Sequence, residues 1–178
     1  MIRVQGSVHR SYLFPAPRQA AFEYYSHFPR VVEHLPLISI ERSFSHNQFR
    51  VVYQSTELGI YNVKIFCDVA VVLDKARWVL LVKTINHRPT VPSRASWRAT
   101  QAQGVFASQS VFHDQGNHTR IEYKLHLLAQ LPPPTGLRLM PAIAINQIAS
   151  SITRWRMDDI IDSFIQQSIE AYTNTRGA

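Results

Sequence analysis

The segment from Thr119 to Leu131 constrains the fold more than any other. Thr119, Ile121, Tyr123, Leu125, Leu127, Ala129 and Leu131 fall on one side of an extended chain, with Arg120, Glu122, Lys124, His126 and Gln130 on the other. A period of two marks a strand with one wet face and one covered face. The turn cluster Asp114-Gln115-Gly116-Asn117 precedes it, so this strand is the second arm of a hairpin. Behind it, Pro132-Pro133-Pro134-Thr135-Gly136 ends the sheet, and from about Pro141 to Tyr172 nothing interrupts a helical reading. Ile145, Ile148, Ile152, Trp155, Asp159 and Ile160 share roughly one face of that helix, extended by Phe164, Ile165 and Ile169. At about 1.5 Å per residue the unbroken element would span roughly 45 to 50 Å. That is longer than a small domain needs, so a kink or a division into an entry helix and a main helix is expected.

The rest of the chain supplies more strands. Ile2, Val4, Val8, Tyr12 and Phe14 alternate with Arg3, Gln5, Ser7, His9 and Ser11, giving a first strand over residues 2 to 14 that Pro15 and Pro17 end. Pro17 suits a first helical turn, and Ala20, Ala21, Tyr24, Tyr25 and Phe28 follow at helical spacing, with a short second helix over 30 to 35. Strands are then expected over 37 to 44, 49 to 57, 60 to 73 and 78 to 85, followed by a loop over 86 to 93. Residues 94 to 112 form a further strand, whose alternation is read through Trp97, Ala99, Val105, Ala107 and Val111. Strand, two helices, about six strands and one long helix make an α+β pattern, helices against one face of an antiparallel sheet. A chain of 178 residues is read as one domain over 1–178.

Several classes of function are disfavoured. The single cysteine, Cys67, excludes an intramolecular disulfide or a multi-cysteine metal site. The N-terminus has no apolar signal region and the longest apolar runs are strand-sized, which reads as an intracellular chain without a spanning helix. With six glycines and no Gly-rich phosphate loop, no nucleotide cofactor is expected, nor any other. The histidines form no His-Glu-x-x-His pattern, and no metal is expected. Between Lys75 and Met157 the only acids are Asp114 and Glu122, which disfavours paired-carboxylate catalysis, and no catalytic residue is assigned. The acids Asp158, Asp159 and Asp162 read as a solvated helix face. The net charge of +7 rests on fifteen arginines and four lysines and points to an anionic partner. The arginines are scattered and unpaired with aromatics, which argues against nucleic acid.

With that order of elements, the chain resembles the START-like superfamily, also called SRPBCC or Bet v 1-like. The resemblance implies a helix-grip fold, a curved sheet around a C-terminal helix over a cavity. A narrower likeness, to the cyanobacterial and plant-plastid branch, rests on the proline-flanked segment Leu137-Arg138-Leu139-Met140-Pro141 before the last helix. It implies a carrier of a lipid, pigment or isoprenoid-like molecule, or an auxiliary factor in photosynthetic membranes, in the cytoplasm or plastid stroma and peripheral to a membrane.

The candidate site follows from apolar surplus. Tyr53, Tyr61, Ile65, Trp78, Trp97, Tyr123 and Leu127 from the sheet, with Ile148, Ile152 and Trp155 from the helix, are read as converging on one concave surface. Singly each fits a filled core; collectively they are too many for one helix to cover, so a cavity of a few hundred Å³ is expected. Tyrosine hydroxyls and indole nitrogens would be its polar anchors. Leu137, Leu139 and Met140, with Arg138 and Arg88, are placed at the cavity mouth, either as a docking surface for an anionic membrane or membrane-associated protein or as a lid. The leading expectation is non-enzymatic binding or transfer of a hydrophobic small molecule. An assembly factor acting through a basic surface, and a cyclase- or dehydratase-like enzyme, are the alternatives.

Overall fold

The computed structural model describes residues 1–86 and 89–176. The chain runs β1 (Ile2–Phe14), α1 (Arg18–Ser26), α2 (Phe28–Glu33), β2 (Ile38–Ser45), β3 (Gln48–Glu57), β4 (Tyr61–Asp74), β5 (Val79–Thr84), β6 (Arg94–Ala95), β7 (Ala99–Gln115), β8 (His118–Leu131) and α3 (Ala142–Arg176), with a 3-10 turn at Thr135–Leu137 before α3. The sheet order is β1-β8-β7-β5-β4-β3-β2, with β6 appended to β7. Every pairing is antiparallel except one: β7 lies parallel to β4 from Asn62↔Ala99 to Phe66↔Gln103. That exception arises because β5 is short. It separates β4 from β7 only as far as Thr84, whose Oγ1 donates to Phe106 O (2.7 Å) and accepts from Phe106 N (3.1 Å) where the strands meet.

The alternation of β1 and β8 is realised in full, and their thirteen-residue register runs from Ile2↔Leu131 to Phe14↔Thr119. Helix α3 lies along β1, in the same chain direction. Arg3 N donates to Asn146 Oδ1 at 3.1 Å, and Arg10 spans Asp158 (2.7 Å) and Asp162 (2.9 Å). Between these tethers is Gly6, where a Cβ would collide with Met157 Sδ. The missing side chain leaves room for the Met157 thioether against the edge strand.

Two sequence expectations are corrected. The expected division of α3 does not occur, and the helix is continuous over 35 residues. Its first turns extend past the sheet, leaving Ile143 at 75% exposure. The face assigned to β7 is inverted. Thr100, Ala102, Ser108, Ser110 and Phe112 are buried, and Val105 is 48% exposed. Most of the residues over the core, Phe106 and Phe112 apart, are small or hydroxylated, so hydropathy alternation misassigned the face.

The outer face of the sheet carries a buried ion pair. Arg50 Nε and Nη2 donate to Asp68 Oδ1 and Oδ2 at 2.6 and 2.8 Å, Gln103 Nε2 donates to Asp68 Oδ2 (3.2 Å), and Asp68 is fully buried. The segment after β5 covers it, since Pro89 O accepts from Arg50 Nη2 at 2.9 Å and Val91 N donates to Gln103 Oε1 at 3.1 Å. Pro89 and Val91 therefore pack on the convex side. Arg88 lies outside the described residues.

Candidate functional site

One end of the molecule is filled by aromatic rings. Phe14 packs on Tyr25 and Tyr172 at centroid distances of 5.1 and 4.7 Å, Phe22 on Phe112 at 5.2 Å, and Tyr25 on Phe164 at 6.0 Å. Toward the other end the rings no longer fill the space. Strand β7, in mid-sheet, there presents Ser110, Ser108 and Thr100 to the interior, with Phe106 as the large side chain among them. A cavity of about 250 Å³ remains between the sheet, α2 and α3. Gly104, on the same face, is covered by Ile65, whose Cγ2 would lie 2.8 Å from a Cβ there.

The wall brings together Tyr53, Tyr61, Ile65, Tyr123, Leu127, Ile148 and Ile152, with Leu137 and Met140 at the opening. The tryptophans are placed elsewhere. Trp78 sits in the turn before β5 with φ 57°, its ring edge on Phe22 (5.5 Å) and its face under the Arg18 guanidinium (4.5 Å). Trp97 is 65% exposed in the loop before β7, and Trp155 is 58% exposed on the outer side of α3, stacked by Arg156 at 4.5 Å. Trp97 and Trp155 belong to segments where the apolar period points outward as easily as inward. Arg138 and Leu139 stand outside the cavity, with Leu139 98% exposed.

Polar groups missed in the sequence complete the wall. Near the opening, Glu57 receives hydrogen bonds from Tyr53 Oη (2.9 Å) and from Arg156 Nε and Nη2 (3.1 and 3.4 Å). Burial acts to raise the Glu57 carboxyl, but the hydrogen bonds from Arg156 and Tyr53 help to hold it below its ordinary value. Burial pushes the Tyr53 phenol up to about 12. Deeper in, burial likewise raises Tyr123 to about 12 and Tyr12 well above the ordinary phenol value. These phenols stay protonated at neutral pH. Cys67 is a small buried wall residue whose thiol burial raises to about 12, so it is no nucleophile. Glu57 is the only carboxylate in the wall among the described residues, and nothing there is poised to exchange a proton near pH 7. Among the described residues no group of three or more His, Cys, Asp or Glu is placed to hold a metal ion.

The opening is rimmed by three segments tied through their backbones. Thr135 N and Gly136 N donate to Ser96 O and Trp97 O (3.0 and 3.4 Å), and Asn62 N donates to Arg98 O (2.8 Å). On this rim Leu58, Ile60, Trp97, Leu139 and Ile143 are 48 to 98% exposed. Leu58 holds φ 52° in the β3–β4 turn, a conformation usually left to glycine or asparagine. Residues 94–98 and 132–156 contain five arginines and no acid. Of these only Arg156 is ion-paired among the described residues, and Arg94, Arg98, Arg138 and Arg154 are not. No helix among the described residues is long and apolar enough to cross a membrane.

A sheet gripping a long C-terminal helix, with two short helices after the first strand, is a helix-grip fold, and solved structures share it. The chain is similar to a conserved protein from Geobacillus kaustophilus (TM-score 0.55, 8% identity, 96% of each chain covered). It is similar to the ZhuI aromatase/cyclase from Streptomyces sp. R1128 (TM-score 0.52, 10% identity, 92% of this chain and 93% of that one). A protein from Thermus thermophilus gives a TM-score of 0.51 at 13% identity, over 93% of this chain and 95% of that one. Identities this low show the fold alone. No family model matches the chain, and no curated protein matches it.

Proposed function

We propose that this chain binds a hydrophobic small molecule in the cavity under its sheet, without catalysing a reaction. The observation that carries this is the cavity itself: about 250 Å³, walled almost entirely by aliphatic and aromatic carbon, beneath the stretch of β7 that carries Ser108 and Ser110. A void that apolar costs stability, because its lining lacks partner atoms, and a hydrophobic occupant restores those contacts. Its size is just under the roughly 300 Å³ at which drug-sized pockets begin, so the occupant is small or the opening widens for it. The similar fold from Streptomyces is that of an aromatase/cyclase. An enzymatic reading of this chain has less support, because its one wall carboxylate is ionised and saturated with hydrogen bonds.

The rim supports delivery at an anionic membrane. Exposed aliphatic and indole groups among unpaired arginines suit shallow insertion beside acidic headgroups. Native mass spectrometry of freshly purified protein tests the binding. The expected spectrum carries adducts of apolar molecules, or acquires them on exposure to lipid, carotenoid or chlorophyll-like compounds; protein that stays strictly apo throughout overturns the proposal.

A further inference from the structure

The inner end of the cavity carries a group of hydroxyls that its apolar wall does not require. Ser110 on β7 faces Tyr123 on β8 as its direct cross-strand partner, with Ser108 one inward position away. Tyr12 approaches from β1, two residues along from Arg10, the register partner of Tyr123. All four line the cavity. Ser110 is 9% exposed, and its hydroxyl has no hydrogen-bond partner among the described residues. Such a group buried against hydrocarbon is unfavourable unless something meets it.

Ser168 Oγ donates to Ile165 O (3.0 Å), so at the 2.8 Å contact Tyr25 donates to Ser168. The hydroxyls of Tyr12, Ser108, Ser110 and Tyr123 can each donate and accept, and they converge on the end of the cavity remote from Leu137 and Met140. At the opposite end, the wall's cation, Arg156, is already engaged by Glu57.

We infer that Ser108, Ser110, Tyr123 and Tyr12 form a subsite for a neutral oxygen group, a ketone or hydroxyl, borne by the ligand end that enters first. The ligand is thus an uncharged hydrophobe with its oxygen buried and its hydrocarbon toward the opening. This is the reverse of an amphiphile that keeps its head in water. A carboxylate is disfavoured, because among the described residues no cation lines the inner end and burying an unpaired charge is costly. The inference rests on the binding reading above and adds the chemistry and polarity of the occupant.

Four probes of similar length separate the two: methyl nonyl ketone, n-decanol, n-decane and n-decanoate, titrated into the full chain and followed by methyl NMR of Ile65, Leu127 and Ile161 in the wall. The ketone and alcohol are expected to bind roughly 5- to 10-fold more tightly than decane, the yield of one or two modest hydrogen bonds, and decanoate most weakly. In the double variant Ser110→Ala, Tyr123→Phe the ketone preference is expected to vanish while decane binds as before, which also shows the variant folded. Equal affinity for ketone and decane, tightest binding by decanoate, or a preference that survives the double variant would overturn the subsite while leaving a hydrophobic cavity standing. If no probe, decane included, shifts the wall methyls, both this inference and the binding reading fail.

Discussion

The two ends of the interior are built on the same strands and differ in one respect: what β7 and its neighbours contribute. At the filled end Phe112 is buried between Phe22 and Tyr25, and Phe14 is fully enclosed. On the same face of β7, shortly before Phe112, stand Ser110 and Ser108, and the space above them is empty. The sheet is continuous across both, and so is α3. The hollow is therefore not a failure of the helix to reach, as the long reach of α3 past the sheet shows. It comes from side-chain volume in mid-sheet, with the aromatic end holding the fold so that the other end can remain open.

That contrast can be broken by substitution. The largest effects belong to the packed regions. Asp68→Ala strands Arg50 beneath the loop carrying Pro89, and should cost about 3 to 5 kcal/mol in chemical denaturation. Phe112→Ala should cost a similar ~3 to 5 kcal/mol. At the hollow end Leu127→Ala should cost only about 2 kcal/mol, the low end for such a deletion, because Leu127 already borders empty space. Equal losses at Phe112 and Leu127 would mean that both ends are packed alike.

Smaller effects sharpen the account of the opening. Because Glu57 titrates below its ordinary value of 4.5 in the folded chain, the unfolded chain binds more protons in that range. Its contribution is present above pH 4.5 and is lost as pH falls through the lower folded value. Thermal melts should show a steeper acid loss in the parent than in Glu57→Gln, and parallel curves would contradict this. Leu58→Asn should relieve the left-handed strain at φ 52°, raising stability by up to ~1 kcal/mol, while weakening co-sedimentation with anionic vesicles. Leu139→Ser should shift stability by no more than about 0.5 kcal/mol and also weaken that vesicle binding. Unchanged vesicle binding in both variants would remove the rim from the account.

Much of the frame was legible because hydropathy recorded it. The alternation in β1 and β8 announces two strands and their buried faces, the turn at Asp114 to Asn117 joins a hairpin, and the three prolines mark the passage from sheet to helix. The cavity was legible only in part. Tyr53, Tyr61, Ile65, Tyr123, Leu127, Ile148 and Ile152 sit on regular apolar faces and do reach the wall. Trp97 follows the strand alternation and Trp155 the helical spacing, yet a loop and an outward helix position carry them away, and a turn does the same for Trp78. Ser108, Ser110 and Glu57 escaped because polar residues normally mark the wet face, and here they mark the inside of a hollow. The pairing of Arg50 with Asp68 escaped for the opposite reason, since nothing local says that a later loop will fold over an outer face.

Xenon-pressurised crystals test the central claim most directly, because an apolar cavity of this size stays dry and admits a noble gas. The account predicts xenon between Ile65, Leu127 and Ile161, with those side chains unmoved. An interior without xenon, in which these residues have closed over Ser108 and Ser110, would contradict it.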